Sequence, residues 1–346
     1  MRLLILVVVL LSLLVATGAA ILVQPFVRAR TSAPPAVDAS RLEAHVRALS
    51  EGFFPRSFDR PQQLDAAASY IHAQFLKAGA KVDVQPYRVA GVTYRNVIAR
   101  YGPDAGPLLV IGAHYDTFSE IEAWGAPRSD YLAAHTPGAD DNASGVAGLI
   151  ELARLLGRSP PRIAVELVAY TLEEPPHFHS DTMGSAHHAR RLRKSGRDVA
   201  LMISLEMIGY FSAAPRSQQY PFTALGLFYP DRGDFIAAVG RIRDWPATRK
   251  VKAAMLGASD LPVFSINSPA FVPGVDFSDH RSYWNEGFSA LMVTDTAFYR
   301  NPHYHQNSDS ADRLDYESMA KVVQGVYAVV QSYGADLKAS QVNEKK

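Results

Sequence analysis

The stretch PLLVIGAHYD, residues 107–116, indicates a buried β-strand with polar residues at its carboxyl end. Its apolar run is nearly continuous, as in strands that are covered on both faces of a parallel sheet. In open α/β sheets, ligands bind beyond the carboxyl ends of such strands. His114 and Asp116 stand two residues apart, so their side chains point the same way. The stretch therefore predicts an α/β fold with its chemistry at this strand end.

Strands and helices alternate along the rest of the chain. Residues 163–172 and 199–207 are further apolar runs that end in charged residues, and residues 142–156 show helical periodicity. This alternation predicts a three-layer α/β fold with a central mixed, mostly parallel sheet flanked by helices. Further helices are expected over 41–50, 64–78, 183–195, 231–243 and 316–333, and further strands over 82–89, 94–101, 223–229 and 290–294.

Composition excludes several classes of function. A formal net charge of +1 without long runs of like charge argues against a nucleic-acid partner. The absence of cysteine excludes disulfides, cysteine nucleophiles and thiolate metal sites. Any metal must therefore be held by His, Asp and Glu. The sequence contains no Gly-x-Ser-x-Gly elbow, which argues against a serine hydrolase.

The chain begins with an apolar segment. Residues 3–23 are apolar except for Ser12, Thr17 and Gly18, a run about long enough to span a ~30 Å hydrocarbon core. Residues 1–30 are expected to be a cleaved signal peptide or an uncleaved anchor, and the length favours the anchor. Residues 31–39 then form a linker, 40–337 the folded domain and 338–346 a flexible tail. This arrangement predicts an extracytoplasmic protein, membrane-bound if uncleaved, or else periplasmic or secreted.

The stretch GADDNASG, residues 138–145, places Asp140 and Asp141 in a small-residue turn before a helix. Hard divalent cations take oxygen ligands, and a pair of metals needs a carboxylate that bridges both. By itself the stretch also suits a solvated turn that caps the helix. The metal interpretation depends on the residues that follow the other strands.

Those residues are of the metal-binding type. Glu173 and Glu174 are adjacent at a strand end and face different directions, so one can bind metal while the other acts as a base. Glu206 ends another apolar strand, where an unpaired carboxylate would be costly. The late loop HYHQNSD, residues 303–309, adds a histidine.

Five motifs together resemble the co-catalytic zinc aminopeptidases, a family that also contains glutamate carboxypeptidases, glutaminyl cyclases and metal-free receptor ectodomains. AHYDT, PGADDNASG, TLEEPP, SLEMIG and YHQNSD follow the family's order within residues 64–333. The resemblance implies a phosphorylase/hydrolase-like fold, with a zinc peptidase catalytic domain over residues 40–337, and two zinc ions. The ligands it implies are His114 and Glu206 for one zinc, Glu174 and His305 for the other, and Asp140 as the bridge.

The resemblance also implies supporting roles. Glu173 would be the general base, and Asp116 would orient His114 from behind. His305 is preferred to His303 because the family places its ligand just before the polar stretch that ends in Asp. The family often has a cis peptide after the bridging residue, which would be the Asp140–Asp141 bond here.

Glu206 departs from the family pattern, which has Asp at this position. Its extra methylene must be absorbed by the backbone or by a monodentate contact, so weaker binding or another metal is possible there. Asp279 and His280 resemble a polar pair on the substrate side of related enzymes, but also suit a structural Asp–His bond. Aromatic residues could line a specificity pocket or belong to the core, namely Phe211, Tyr229, Phe298 and Tyr299.

The sequence thus predicts a zinc-dependent exopeptidase, preferably an aminopeptidase acting on peptides. One alternative is a glutaminyl cyclase-like enzyme with a single zinc. The other is a non-catalytic binding module of the same fold. Residues 119–137 form a long loop that could gate the site. The side chain that the substrate must carry depends on the shape of the pocket, which the sequence does not show. The sequence does not show the oligomeric state either.

Overall fold

The computed structural model describes residues 5, 7, 17, 18, 20–120 and 135–343, with side chains up to residue 337. Most of residues 1–19, the centre of the expected gating loop and the last residues of the expected tail thus lie outside the described residues. In the described part, the strands are β1 (Lys81–Val89), β2 (Val92–Tyr101), β3 (Leu108–His114), β4 (Ala164–Tyr170), β5 (Val199–Glu206), β6 (Ile236–Arg241), β7 (Val263–Ser268) and β8 (Ala290–Thr294).

Helices occupy much of the chain between the strands. The α-helices are α1 (Ala39–Arg47), α2 (Pro61–Lys77), α3 (Gly145–Arg158), α4 (Gly184–Lys194), α5 (Trp245–Leu256), α6 (His280–Asn285) and α7 (Tyr316–Asn343). Two π-helical turns, Ala48–Gly52 and Ala139–Ser144, continue α1 and precede α3. Short 3₁₀ turns occupy Thr223–Leu227, Ile242–Asp244, Ala297–Tyr299 and Ala311–Arg313.

The strands form one mixed sheet in the order β1-β2-β4-β3-β5-β8-β6-β7. The four central strands β4, β3, β5 and β8 are mutually parallel. Antiparallel pairing joins β1 to β2, β2 to β4 and β6 to β8. Because the central strands run the same way, their carboxyl ends meet at one edge, as the sequence predicted.

Helices cover both faces of this sheet, which confirms the three-layer α/β fold. One core packs α1, α2, α3, α5 and α7 against the first face, and a second core packs α4 and α6 against the other. Residues of β3 and β4 are buried along their whole length, because both faces of these strands are covered.

Two expected elements are wrong. The strand expected over 223–229 is absent: Thr223–Leu227 forms a short 3₁₀ turn, and the apolar side chains of Leu227 and Phe228 are 84% and 52% exposed. The helix expected over 231–243 is replaced by β6, which pairs with β7 and β8. Alanines in Ile236–Arg241 favour a helix locally, but sheet pairing decides the conformation.

The end of the apolar run and the segment that follows it contact β7, the last strand of the sheet, and the helix α5. Asn267 Nδ2 in β7 donates to the carbonyl of Ile21 (2.9 Å), and the amide of Arg30 donates to the carbonyl of Ala253 in α5 (2.8 Å). In the part of the chain that is described, no helix has both the length and the apolar character needed to cross a membrane. The division into leader, linker, domain and tail stays a prediction, and the backbone of α7 continues to Asn343.

Candidate metal centre

Three strand ends bring charged side chains to one edge of the sheet. His114 is the last residue of β3, Glu206 is the last residue of β5, and Glu173 and Glu174 follow β4. Asp141 in the turn before α3 and His305 in the loop after β8 complete the group. Except for His305, these side chains are almost fully buried. The six residues form one cluster, here called the acidic cluster.

Within the acidic cluster, Asp141 stands between two sets of ligand-type atoms. Its Oδ1 lies 3.3 Å from His114 Nε2, which is also 3.3 Å from Glu206 Oε2. Its Oδ2 lies 3.3 Å from His305 Nε2, which is 3.2 Å from Glu174 Oε2. Each set contains one histidine and one glutamate, and the two oxygens of Asp141 belong to different sets. This is the arrangement that a bridging carboxylate requires.

The expectation that Asp140 is the bridge is wrong. Its Oδ1 accepts the amide of Gly209 (2.9 Å), and its Oδ2 accepts Nδ2 of Asn301 (2.8 Å). Adjacent residues of the π-helical turn point to different sides, so only Asp141 reaches the acidic cluster. The cis peptide also lies one residue later than expected, between Asp141 and Asn142.

Buried polar contacts hold this turn in place. The carboxylate of Asp309 accepts the backbone amides of both Asp140 (3.0 Å) and Asp141 (3.1 Å). Asn142 accepts the amides of Gly145 and Met207 and donates to the carbonyl of Leu205. Asp309, Leu205 and Met207 lie far from the turn in the sequence, so these supports form only when the chain folds.

Gly138 lies where the turn leaves no space for a side chain. It has φ of +59°, and an added Cβ would lie 2.3 Å from both the carbonyl oxygen of Asp141 and Cγ2 of Thr117. We expect Gly138→Ala to lower the free energy of unfolding by about 3–5 kcal/mol, since it combines left-handed strain with a clash. Denaturant unfolding measures this change. Gly196→Ala is the matched control: its φ is also positive, at +66°, but it has open space, so a cost of about 1 kcal/mol is expected. Equal costs would contradict the clash.

The extra methylene of Glu206 is accommodated by a buried serine. Ser278 Oγ donates to Glu206 Oε2 (2.7 Å), the oxygen nearest His114, and is itself paired with Ser204 Oγ (2.7 Å). The carboxylate oxygen of Glu206 that lies 3.3 Å from His114 Nε2 is thus also held by Ser278. Sequence analysis missed Ser278 because it lies 72 residues from its partner.

Removing the Ser278 hydroxyl is expected to weaken metal retention at the Glu206 set. Residues that hydrogen-bond to ligands typically change metal affinity by roughly 10–100-fold. Ser278→Ala should therefore lose zinc at a lower chelator concentration, as measured by metal content after dialysis. Ser50→Ala, another buried serine whose hydroxyl donates to a carbonyl in α1, should behave like the unmodified protein. Unchanged zinc retention in Ser278→Ala would contradict this role.

Asp116 lies behind His114, as expected. His114 Nδ1 lies 3.1 Å from the carbonyl oxygen of Asp116 and 3.7 Å from its Oδ1. When Nδ1 carries the proton and donates it to this carbonyl, Nε2 keeps a lone pair that points into the acidic cluster. This is the histidine tautomer that binds metal through Nε2. Oδ2 of Asp116 accepts the amide of Glu174 (3.1 Å), so one residue positions parts of both sets.

His305, and not His303, reaches the acidic cluster. Its ring is stacked between Phe118 and Tyr304, with centroid distances of 4.0 and 3.8 Å. The ring of His303 lies instead beside Ser308, whose Oγ is 2.8 Å from its Nδ1. Stacking on both faces fixes the ring plane of His305 and directs Nε2 toward Asp141 and Glu174.

Asp279 and His280 do not form a pair with each other. His280 Nε2 donates to the carbonyl of Val275 (2.8 Å), and its ring packs edge-on against Trp284, which indicates a structural role. Asp279 is fully buried and neither carboxylate oxygen makes a hydrogen bond. Burial raises the pKa of Asp279 to about 7. Its part in substrate binding stays a prediction.

Electrostatics of the acidic cluster favour bound cations. Burial raises the pKa of Glu173 well above its usual value and that of Glu174 to about 7. Although burial lowers the pKa of His114, the carboxylates of Glu206 and Glu173 raise it well above its usual value. Four carboxylates in a buried site with two histidines need positive charge, which two divalent ions would supply.

The residues fit zinc in geometry as well as in charge. Two atoms that each lie ~2.0–2.1 Å from a tetrahedral zinc are about 3.3–3.4 Å apart, and the four contacts of Asp141 and the two glutamates with the histidines measure 3.2–3.3 Å. His114 Nε2 and Glu174 Oε1 are buried and make no hydrogen bond. Buried polar atoms without partners are costly, so these atoms point to metal ligation.

An apolar cleft of about 180 Å³ opens beside the acidic cluster. Strands β6, β7 and β8 contribute Val239, Phe264 and Met292 to its lining. Three of the four aromatic residues expected for a pocket line it, namely Tyr229, Phe298 and Tyr299. Phe211 is not among the lining residues and packs against the main core.

Comparison with known proteins agrees with this site. The profile of Peptidase family M28 matches residues 96–330, a span that contains the whole acidic cluster. YfbL of Escherichia coli (strain K12), an uncharacterized protein, is 53% identical over 307 residues, covering 89% of this chain and 92% of YfbL. A probable leucine aminopeptidase of Trichophyton verrucosum is 27% identical over 243 residues, or 66% of this chain, which spans only 55% of that protein.

Solved structures share the fold. A Zn-dependent exopeptidase from Parabacteroides distasonis superposes with a TM-score of 0.63 at 18% identity, covering 86% of this chain and 99% of that one. A glutaminyl cyclase of Bacteroides thetaiotaomicron bound to N-acetylhistamine gives 0.64 at 20% identity, with 86% and 99% covered. The family profile matches more than half of the sequence, and the same residues carry the sheet and the acidic cluster. The chain therefore belongs to peptidase family M28.

Proposed function

We propose that this protein is an aminopeptidase that uses two zinc ions. The observation that carries the proposal is Asp141, whose two carboxylate oxygens belong to separate histidine–glutamate sets. One set would hold a zinc ion through His114 and Glu206, and the other through His305 and Glu174. A single-zinc enzyme would have no use for the second set.

The charge of the cleft favours the amino end of a peptide over its carboxyl end. Among the described residues that line it, four are acidic, Asp141, Glu173, Glu174 and Glu206, and none is lysine or arginine. A carboxypeptidase needs a cation to bind the terminal carboxylate of its substrate, usually arginine. An α-amino group is positively charged and is attracted by carboxylates.

The walls of the cleft favour a large apolar side chain at the peptide's N-terminus. Aromatic and aliphatic residues line it where it leaves the acidic cluster, including Phe235, Phe264 and Met292. Apolar pockets bind apolar groups in proportion to the surface removed from water. The similarity to proteins described as leucine aminopeptidases supports the same preference.

We propose that Glu173 transfers the proton in the reaction. Zinc in such a site lowers the pKa of water to near 7 and polarises the scissile carbonyl. Glu173 Oε2 lies 3.9 Å from His114 Nε2, farther than the 3.2–3.3 Å contacts within the two sets, so its carboxylate stays available as a base. It would accept the proton of the attacking water and deliver it to the leaving amine.

The alternative function is cyclisation of N-terminal glutamine, as the shared fold with glutaminyl cyclases allows. Both activities need a free N-terminus, but only the peptidase needs an attacking water. The described site keeps both ligand sets, which favours hydrolysis.

Metal content and substrate tests separate these functions. We expect the purified full chain to contain two zinc ions by elemental mass spectrometry and to release nitroaniline from leucine 4-nitroanilide. N-acetyl-leucine 4-nitroanilide is the control, which should not be cleaved because its amine is blocked. One zinc ion together with conversion of glutaminyl peptides to pyroglutamyl peptides would support the cyclase instead. No zinc and no turnover would favour a binding module.

A further inference from the structure

Exposed apolar side chains are concentrated at one end of the molecule. Among the side chains described in residues 20–120 and 135–337, eleven large hydrophobic ones are exposed. Of these, Leu76 and Val92 belong to α2 and β2, at the β1 end of the sheet. The other nine lie in segments next to β6, β7 and β8, at the end of the N-terminal apolar run or just after it, namely Leu22, Phe26, Phe222, Leu227, Phe228, Ile242, Trp245, Phe271 and Phe298. Contiguous exposed apolar surface marks sites of interaction with proteins or membranes.

Four of these residues, here called the apolar rim, lie within two positions of residues that line the apolar cleft: Phe222, Leu227, Phe228 and Phe271. The segment 222–229, which includes the 3₁₀ turn Thr223–Leu227, also contributes Leu225 and Tyr229 to the cleft wall. Phe271 directly precedes two further lining residues, Val272 and Pro273. Leu227 is 84% exposed and Phe271 is 86% exposed, so neither is held by the core.

The N-terminal apolar run reaches the fold at the same place. Ser265 in β7 lines the cleft, and its hydroxyl donates to the carbonyl of Val23 (3.3 Å). The carbonyl of Ser265 accepts the hydroxyl of Tyr229, which follows the apolar rim (2.7 Å). Ser265 therefore contacts both the end of the apolar run and the residue Tyr229 of the cleft wall.

We propose that the apolar rim docks on a lipid bilayer, so that the cleft opens at the membrane surface. The apolar run of residues 3–23 identifies the bilayer as the partner, because a chain held there would keep the β7 end of the domain against the lipid. Trp245, next to Gln24, suits the polar–apolar boundary of such a surface.

The charges around this end suit anionic lipid headgroups. Arg28, Arg243 and Arg249 are exposed, and Arg249 donates to the carbonyl of Phe26 (3.2 Å). Basic residues beside apolar ones add attraction to anionic lipids. The substrate class that follows is a peptide with an apolar N-terminus that is itself bound to the membrane. This substrate assignment rests on the aminopeptidase function proposed above, whereas docking of the apolar rim does not.

The absence of cysteine allows a direct test of docking in the full chain. Leu227→Cys and Phe271→Cys each introduce a single thiol that accepts an environment-sensitive fluorophore. In vesicles of phosphatidylcholine and phosphatidylglycerol, we expect nitroxide-labelled lipid to quench both labels. Leu76→Cys is the matched control, an exposed leucine in α2 at the opposite end of the sheet, roughly 30 Å away by the spacing of eight strands. Its label should remain in water and unquenched.

Two results would overturn the docking proposal. Labels at positions 227 and 271 that report water and escape quenching would show that the apolar rim faces solvent. Labels that are shielded equally with and without lipid would show that a second copy covers it.

A double variant tests the substrate class separately. Leu227→Ser with Phe271→Ser should reduce hydrolysis of a vesicle-bound leucyl peptide about tenfold, while hydrolysis of soluble leucine 4-nitroanilide stays unchanged. Equal rates on the vesicle-bound peptide in both proteins would overturn the substrate assignment. If neither protein cleaves the soluble anilide, the proposed aminopeptidase function fails, and the quenching result still decides docking.

Discussion

Glu173→Gln is expected to reduce turnover about 10³-fold, since general-base catalysis contributes 10²–10⁴ in rate. The glutamine side chain has nearly the same shape but cannot accept the proton of the attacking water. Zinc content should not change, because Glu173 lies outside the two histidine–glutamate sets that share Asp141. Substrate binding should also remain, so the loss should fall on kcat rather than on KM.

Steady-state kinetics and elemental mass spectrometry on the same preparation measure both effects. Glu317→Gln, at an exposed position of α7, is the matched control and should retain full activity. Undiminished hydrolysis by Glu173→Gln would remove Glu173 from the base role. Lost zinc together with lost activity would instead make Glu173 a ligand.

The second large effect, loss of zinc and turnover, is expected from substitution of one of two adjacent aspartates. It tests whether Asp141, as in the structure, or Asp140, as the sequence suggested, is the bridging residue. Asp141→Asn should lose zinc from both sets and all turnover, because a carboxamide offers one oxygen in place of two. Asp140→Asn should keep its zinc, because the Asp140 carboxylate meets Gly209 and Asn301 instead of the acidic cluster. Its free energy of unfolding should fall by about 1–3 kcal/mol, the cost of disturbing buried hydrogen bonds.

Each variant therefore serves as the control for the other. Zinc content separates them directly, and denaturant unfolding with zinc present reports the stability of Asp140→Asn. The reverse pattern, with zinc lost from Asp140→Asn and kept by Asp141→Asn, would restore Asp140 as the bridge.

Sequence alone determined the α/β fold and most of the residues at the site. Apolar runs that end in His114, Glu173, Glu174 and Glu206 predicted parallel strands whose carboxyl ends meet, and β3, β4 and β5 have this arrangement. Hydrophobic periodicity and strand-end polarity are local properties, so they can be recognised without a structure. His305 was distinguished from His303 by its position in a motif, and the structure places it in the acidic cluster.

Only the tertiary structure decided which of two neighbouring aspartates serves the site. Asp140 and Asp141 are chemically identical, and the choice depends on a turn held by Asp309 from another part of the chain. Only the tertiary structure shows that Ser278 contacts Glu206. It also decides the conformation of β6, because pairing with β7 and β8 outweighs the helix preference of its alanines. In each case a partner far away in sequence supplies the deciding contact, and local patterns carry no information about such partners.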